Sequence, residues 1–141
     1  MEGFNVAVVG ATDIVGQEIA KVLEQRKFPV ASIQLLSPGH SSGLRLLFNH
    51  QRVEVREAKE ETFRDVDIAF FSDSADVSRR LAPLATEAGA VVIDNSSAFR
   101  MNPRVPLVVP EVNPEDIAWH KGIIASPKCS TIQMVVALHP L

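Results

Sequence analysis

"NVAVVGATDIVGQEIAKVLEQ", Asn5–Gln25, decides the fold. Its first part is a short run rich in β-branched residues, with Val6, Val8 and Val9 leading into Gly10. An unbroken apolar run of this kind reads as a parallel strand buried on both faces. From Ile14 the period changes. Ile14, Val15, Ile19, Val22 and Leu23 recur at helical spacing as far as Gln25. Strand, glycine turn and helix in that order open a β-α unit.

The same alternation continues outward. "SIQLL" at Ser32–Leu36 is a second strand. "GLRLLFN" and "QRVEVRE" are extended runs that suggest a hairpin around Asn49 and His50. "VDIAFFS" at Val66–Ser72 is a buried strand, followed by a helix over about Asp76–Ala88 that Gly89 stops. "AVVID" at Ala90–Asp94 is the next strand, and "VPLVVPEVNP" reads as extended and Pro-punctuated. Asn113 is placed to cap a helix with Pro114 at its first position. "GIIAS" is a last strand and Ser130–Leu138 a last helix. Strands alternating with helices at this spacing predict an α/β fold, a doubly wound parallel sheet of Rossmann type.

Composition agrees with one ordered domain. The chain has 141 residues, 46% hydrophobic and 22% charged. A net charge of −3 points to neither nucleic acid nor a membrane surface. No apolar run reaches the roughly 18 residues of a membrane span. The N-terminus lacks the basic region of a signal peptide. One cysteine cannot form an internal disulfide, so a cytoplasmic setting is expected. The histidines and the cysteine have no zinc-ligand spacing, so no metal is expected. The chain stops in "ALHPL", soon after its last helix begins, an odd place for a complete enzyme to end.

The turn "GATDIVG" sits at the carboxyl end of the first strand, where doubly wound sheets bind ligands. Gly10 permits a tight turn, and Gly16 lets the helix pack closely. Amides at the helix start suit an anionic pyrophosphate. Asp13 stands where the dinucleotide fingerprint prefers glycine; its carboxylate would repel a phosphate or else cap the helix. Downstream, "LLSPGHSSGLR" offers Ser37, His40, Ser41 and Arg45 and no acid. Hydroxyls and a basic group suit a 2′-phosphate, which favours NADP over NAD. The plainer reading is a polar surface loop.

Cys129 follows Pro127 and Lys128 at the start of the last helix. Two readings stand here. One is a small buried hydrophobe. The other is a nucleophile whose thiolate is favoured by the helix N-terminus and by Lys128.

Four stretches carry a resemblance, in order along Val6–Leu141: "VAVVGATDIVGQE", "VVIDNSSAFR", "VPLVVPEVNP" and "SPKCSTIQM". They resemble the signature stretches of the aspartate-semialdehyde dehydrogenase family, in its N-terminal, cofactor-binding portion. The resemblance implies NADPH-dependent reduction of L-aspartyl 4-phosphate to L-aspartate 4-semialdehyde with release of phosphate, on the route to lysine, methionine and threonine. It implies that Cys129 forms a thioester and that Arg100 holds the substrate phosphate, for which a guanidinium fork is suited. The plainer reading of Arg100 is a surface ion pair. Lys128 matches a substrate-binding asparagine. Gly10, Thr12, Val15 and Gly16 match the pyrophosphate turn, in which Asp13 stands in place of the middle glycine; Ser37 matches an adenosine-ribose or 2′-phosphate contact, and His40 stands near where an arginine often clamps the 2′-phosphate.

The chain departs from the family pattern at Asp13, at His40, at "SPKC" and at "FSDSADVS", which replaces a Gly-Gly stretch beside the nicotinamide. Family enzymes are more than twice this length and form homo-oligomers. The resemblance implies that residues 1–141 are the NADP-binding domain, ending just past the nucleophile. The second domain, with the histidine acid/base and most of the dimer interface, would lie beyond. Alternatives are a non-catalytic nucleotide-binding relative, which Asp13 and "DSAD" favour, or an N-acetyl-glutamyl-phosphate reductase. Retained Cys129 and Arg100 favour an enzyme, and "NSSAFR" with "PEVNP" favours the aspartyl one.

Overall fold

The computed structural model describes residues 3–39 and 43–141. The elements run β1 Phe4–Val9, α1 Ile14–Gln25, β2 Val30–Ser37, β3 Arg45–Phe48, β4 Gln51–Glu57, β5 Ile68–Phe71, α2 Ala75–Glu87, β6 Val91–Asp94, β7 Ile123–Ala125 and α3 Cys129–Leu138. Short 3-10 helices lie at Glu60–Phe63 and Pro114–Trp119. The sheet order is β3-β4-β2-β1-β5-β6-β7. Only β3 and β4 pair antiparallel; the other neighbours are parallel. This is the doubly wound α/β sheet that the alternation of strand and helix predicts.

The unbroken apolar run in β1 has a simple cause. Val6 and Val8 face one core with Leu35, Val55 and, from α1, Ala20 and Leu23. Ala7 and Val9 face the other with Leu36, Phe71, Val92 and, from α2, Leu81, Ala82 and Ala85. Both faces of the central strand are therefore dry over Val6–Val9, and each of those four positions is apolar. Each such valine or leucine contributes about 1.5–3 kcal/mol through burial, so β1 anchors the layers above and below it.

The hairpin lies where the sequence places it. Asn49 and His50 have φ of 47° and 64°, and Phe48 pairs with Gln51. Two consecutive positive φ values are the mark of the tight turn whose twist matches its strands. The Glu24 carboxylate, from the end of α1, accepts a hydrogen bond from the Asn49 N–H.

Three expectations change. "VPLVVPEVNP" is mostly irregular, with a turn at residues 110–112. Only its start is sheet-like, with Leu107 bridging Ala125 and with the bonds Ala125 N–H to Pro106 O and Val108 N–H to Ala125 O. The segment after Asn113 is a 3-10 helix, and the Asn113 side chain does not cap it. Instead Asn113 Oδ1 accepts from Val109 N–H at 2.8 Å, and its Nδ2 donates to Leu107 O at 2.9 Å and to Asp116 Oδ2 at 2.8 Å. Asn113 folds the turn that precedes it, because those main-chain groups have no ladder partner of their own. The third change is at Asp13, described below. Among the described residues no helix is long and apolar enough to cross a membrane.

Candidate active site

Parallel strands end together, so the loops after β1, β2, β5, β6 and β7 share one edge of the sheet. At its centre β1 feeds α1 on one side and β5 lies on the other. The N–H groups of Gly10 and Ala11 both donate to Leu36 O, at 2.9 and 3.1 Å, which ties the turn to the end of β2. Gly10 has φ +87°, and a Cβ there would lie 2.9 Å from Ser72 Oγ. A Cβ on Gly16 would lie 2.1 Å from Gly10 O and 2.9 Å from the Ala11 Cα, both backbone. Neither glycine has room for a side chain. The first turn of α1 therefore rests directly on the backbone of the β1–α1 loop.

The first intrahelical bond of α1 runs from Gln17 N–H to Asp13 O, at 3.0 Å. The N–H groups of residues 14–16 have no carbonyl a turn earlier to bond to. Asp13 occupies the capping position in an extended conformation, but its side chain makes no cap hydrogen bond. The capping role suggested by the sequence is thus corrected. The carboxylate is exposed at the mouth of the turn, and the amides are left to a ligand. A cradle of two glycines with no space for a Cβ and unbonded helix amides fits a dinucleotide pyrophosphate; the Asp13 charge opposes it. Thr12 is half-buried and Val15 exposed in the same loop and helix start.

Across the crevice, Ser72 Oγ donates to Val9 O at 3.1 Å. Asp73 Oδ1 accepts from Ser74 N–H at 2.6 Å, and Ser74 Oγ caps α2 by accepting from Val77 N–H. Asp76 pairs with Arg79 at 2.8 Å. Asp73, Ser74 and Asp76 of "FSDSADVS" are thus built into the start of α2, while Ser72 ties that loop to the end of β1. Ser37 is buried at the end of β2, beside the glycine turn. His40 and Ser41 lie outside the described residues. Arg45 begins β3 opposite Glu54.

Arg100 is not a surface ion-pair residue. Its Nε donates to Ser126 O and its Nη2 to Asn95 O, both at 2.9 Å. The guanidinium bridges the ends of β6 and β7. Ser126 lies three residues before Cys129, so the chain brings the arginine and the thiol to neighbouring strand ends. Cys129 is the first residue of α3, with Lys128 at the capping position, and both are exposed. The exposure removes the buried-thiol reading of Cys129. None of the three described histidines joins them: His50 lies in the turn between β3 and β4. His120 Nδ1 accepts from Gly122 N–H in the turn before β7, at the opposite end of that strand, and His139 caps the far end of α3.

Sequence reading missed the group at the base of the loop that leads to Arg100. Asp94, the last residue of β6, is fully buried. It accepts from Ser78 Oγ, Ser96 N–H and Ser96 Oγ, at 2.8, 3.0 and 2.9 Å. An Asp at a strand end followed by serines was the available signal, since Asp often accepts from the amide two residues on.

The family model described as "Semialdehyde dehydrogenase, NAD binding domain" matches residues 5–120. The chain belongs to this family. It is 54% identical over 139 residues to the aspartate-semialdehyde dehydrogenase of Bacillus subtilis, covering 99% of this chain and 40% of that protein. Among solved structures, aspartate semialdehyde dehydrogenase II of Vibrio cholerae complexed with ASA matches with a TM-score of 0.94 and 50% identity, over 99% of this chain and 46% of that one. The Candida albicans enzyme with NADP matches with a TM-score of 0.82 and 30% identity, over 97% and 46%. The chain therefore spans about two-fifths of the length of the relatives it matches.

Proposed function

We propose that this chain is the NADP-binding portion, residues 1–141, of an aspartate-semialdehyde dehydrogenase that reduces L-aspartyl 4-phosphate. The observation that carries the reading is the Arg100–Ser126 hydrogen bond, which sets a cationic fork beside the strand end that leads into Cys129. Residues 10–16 would hold the pyrophosphate, and Ser37 with His40 the adenosine end. Cys129 Sγ attacks the acyl carbon, and the C–O bond to phosphate breaks. The phosphate leaves with the bonding pair toward Arg100, and a thioester remains on Cys129. Lys128, exposed at the capping position of α3, would serve the substrate's anionic groups. NADPH, when bound, supplies the hydride that releases the semialdehyde and returns the thiolate. The relatives' names favour aspartyl over N-acetyl-glutamyl phosphate as substrate. A second domain, a homo-oligomer and a cytoplasmic location complete the reading.

The test is Cys129→Ser in the protein that carries this chain. Turnover with NADPH and aspartyl phosphate should fall by at least about a thousandfold, as removal of a covalent nucleophile does, with NADPH binding kept. Unchanged turnover would overturn the reading. NADPH binding without turnover in the unsubstituted whole protein would favour the non-catalytic alternative.

A further inference from the structure

We propose that Asp94 is a positioning residue, whose buried carboxylate sets the Asn95–Arg100 loop and thereby aims the Arg100 guanidinium. This rests on the reading of Arg100 as the group that holds the substrate phosphate. Asp94 is fully buried and, among the described residues, pairs with no cation; its hydrogen bonds come from two serines. A buried carboxylate is tolerated when its oxygens are bonded in this way. Two of those bonds come from Ser96, one from its amide and one from its hydroxyl. Ser96 Oγ then accepts from Ala98 N–H at 3.1 Å. The chain from Asp94 to Ala98 is thus wound around one carboxylate. Two residues later Arg100 returns to donate to Asn95 O. The loop is closed at both ends, by Asp94 at its base and by Arg100 at its tip.

The third bond comes from Ser78, in the second turn of α2, also fully buried. It links Asp94 to a different element and has no part in winding the loop. The two serines therefore separate positioning from plain core stability. Loss of Ser96 Oγ should move Arg100. Loss of Ser78 Oγ should lower stability and leave Arg100 where it is.

The experiment uses the 141-residue chain labelled with nitrogen-15 and reads the Nε–H signal of Arg100, which reports its bond to Ser126 O. Ser96→Ala should shift that signal and speed its exchange with water about tenfold or more, the scale of one lost charge-assisted hydrogen bond. Ser78→Ala should leave signal and exchange as they are in the unsubstituted chain. Asp94→Asn should act like Ser96→Ala, and if that variant fails to fold the two serine variants still decide. An unmoved Arg100 signal in Ser96→Ala overturns the proposal. So does an equal change in Ser78→Ala, which would mean general loosening. Titration with inorganic phosphate is read separately. If phosphate leaves Arg100 unmoved in the unsubstituted chain, the phosphate role fails, while the Nε–H comparison still judges the positioning.

Discussion

At Asp13 a carboxylate stands on the first turn of α1, beside amides that suit an anion. Gly10 and Gly16 were legible from spacing alone, because Gly10 needs a positive φ and Gly16 meets backbone that no Cβ could clear. The direction of the Asp13 side chain was not legible. Capping and projecting into solvent use the same residue at the same position, and the choice depends on a side-chain torsion. The exposed carboxylate leads to a prediction. Replacing it with the residue that the fingerprint prefers, Asp13→Gly, should tighten NADPH binding about fivefold, from removal of one like charge in a high-dielectric setting. The gain should shrink at high salt. Titration calorimetry on both proteins at two salt concentrations checks this. Equal affinities would mean that Asp13 points away from the phosphates.

Among the elements, the regular ones were read well and the Pro-punctuated one was not. α1 follows its apolar spacing from Ile14 to Gln25, and the hairpin turns at the two residues predicted. Both are local patterns, set by periodicity and by φ. The segment 105–119 follows no period, and its shape depends on which nearby groups Asn113 finds. A capping role and a turn-folding role differ in what they require of the side chain. A cap needs only an acceptor, so Asp serves as well as Asn. Asn113 both accepts from Val109 N–H and donates to Leu107 O and Asp116. Asn113→Asp loses both donations and sets two carboxylates face to face. It should therefore destabilise the chain by about 2 kcal/mol, at about 1 kcal/mol per lost bond. Urea unfolding measures it. A neutral result would restore the simple cap.

Across the whole molecule, burial is uneven, and α3 is its extreme. α1 and α2 each place small and branched residues in one of the two cores. α3 buries none of its residues, although its sequence "CSTIQMVVAL" is strongly apolar, and Met134, Val136 and Leu138 are exposed. A ten-residue helix whose only half-buried residues are Ile132 and Val135 has little beyond its own propensity to hold it, and helices of that length are marginal in water. Its amides should exchange with solvent at least about a hundredfold faster than those of α1 and α2, a difference of about 3 kcal/mol in local opening. Hydrogen exchange of the 141-residue chain tests this residue by residue. The outcome bears on chemistry, because Cys129 is the first residue of α3 and its place beside Arg100 lasts only as long as that helix start does. A general acid–base partner would add about 10²–10⁴-fold to turnover, and none of the three described histidines, His50, His120 and His139, is placed to supply it. A frayed α3 and a missing base together predict no NADPH-dependent reduction of aspartyl phosphate by these 141 residues alone. Protection in α3 equal to that in α1, with measurable turnover, would show that the site is held together by contacts within this chain.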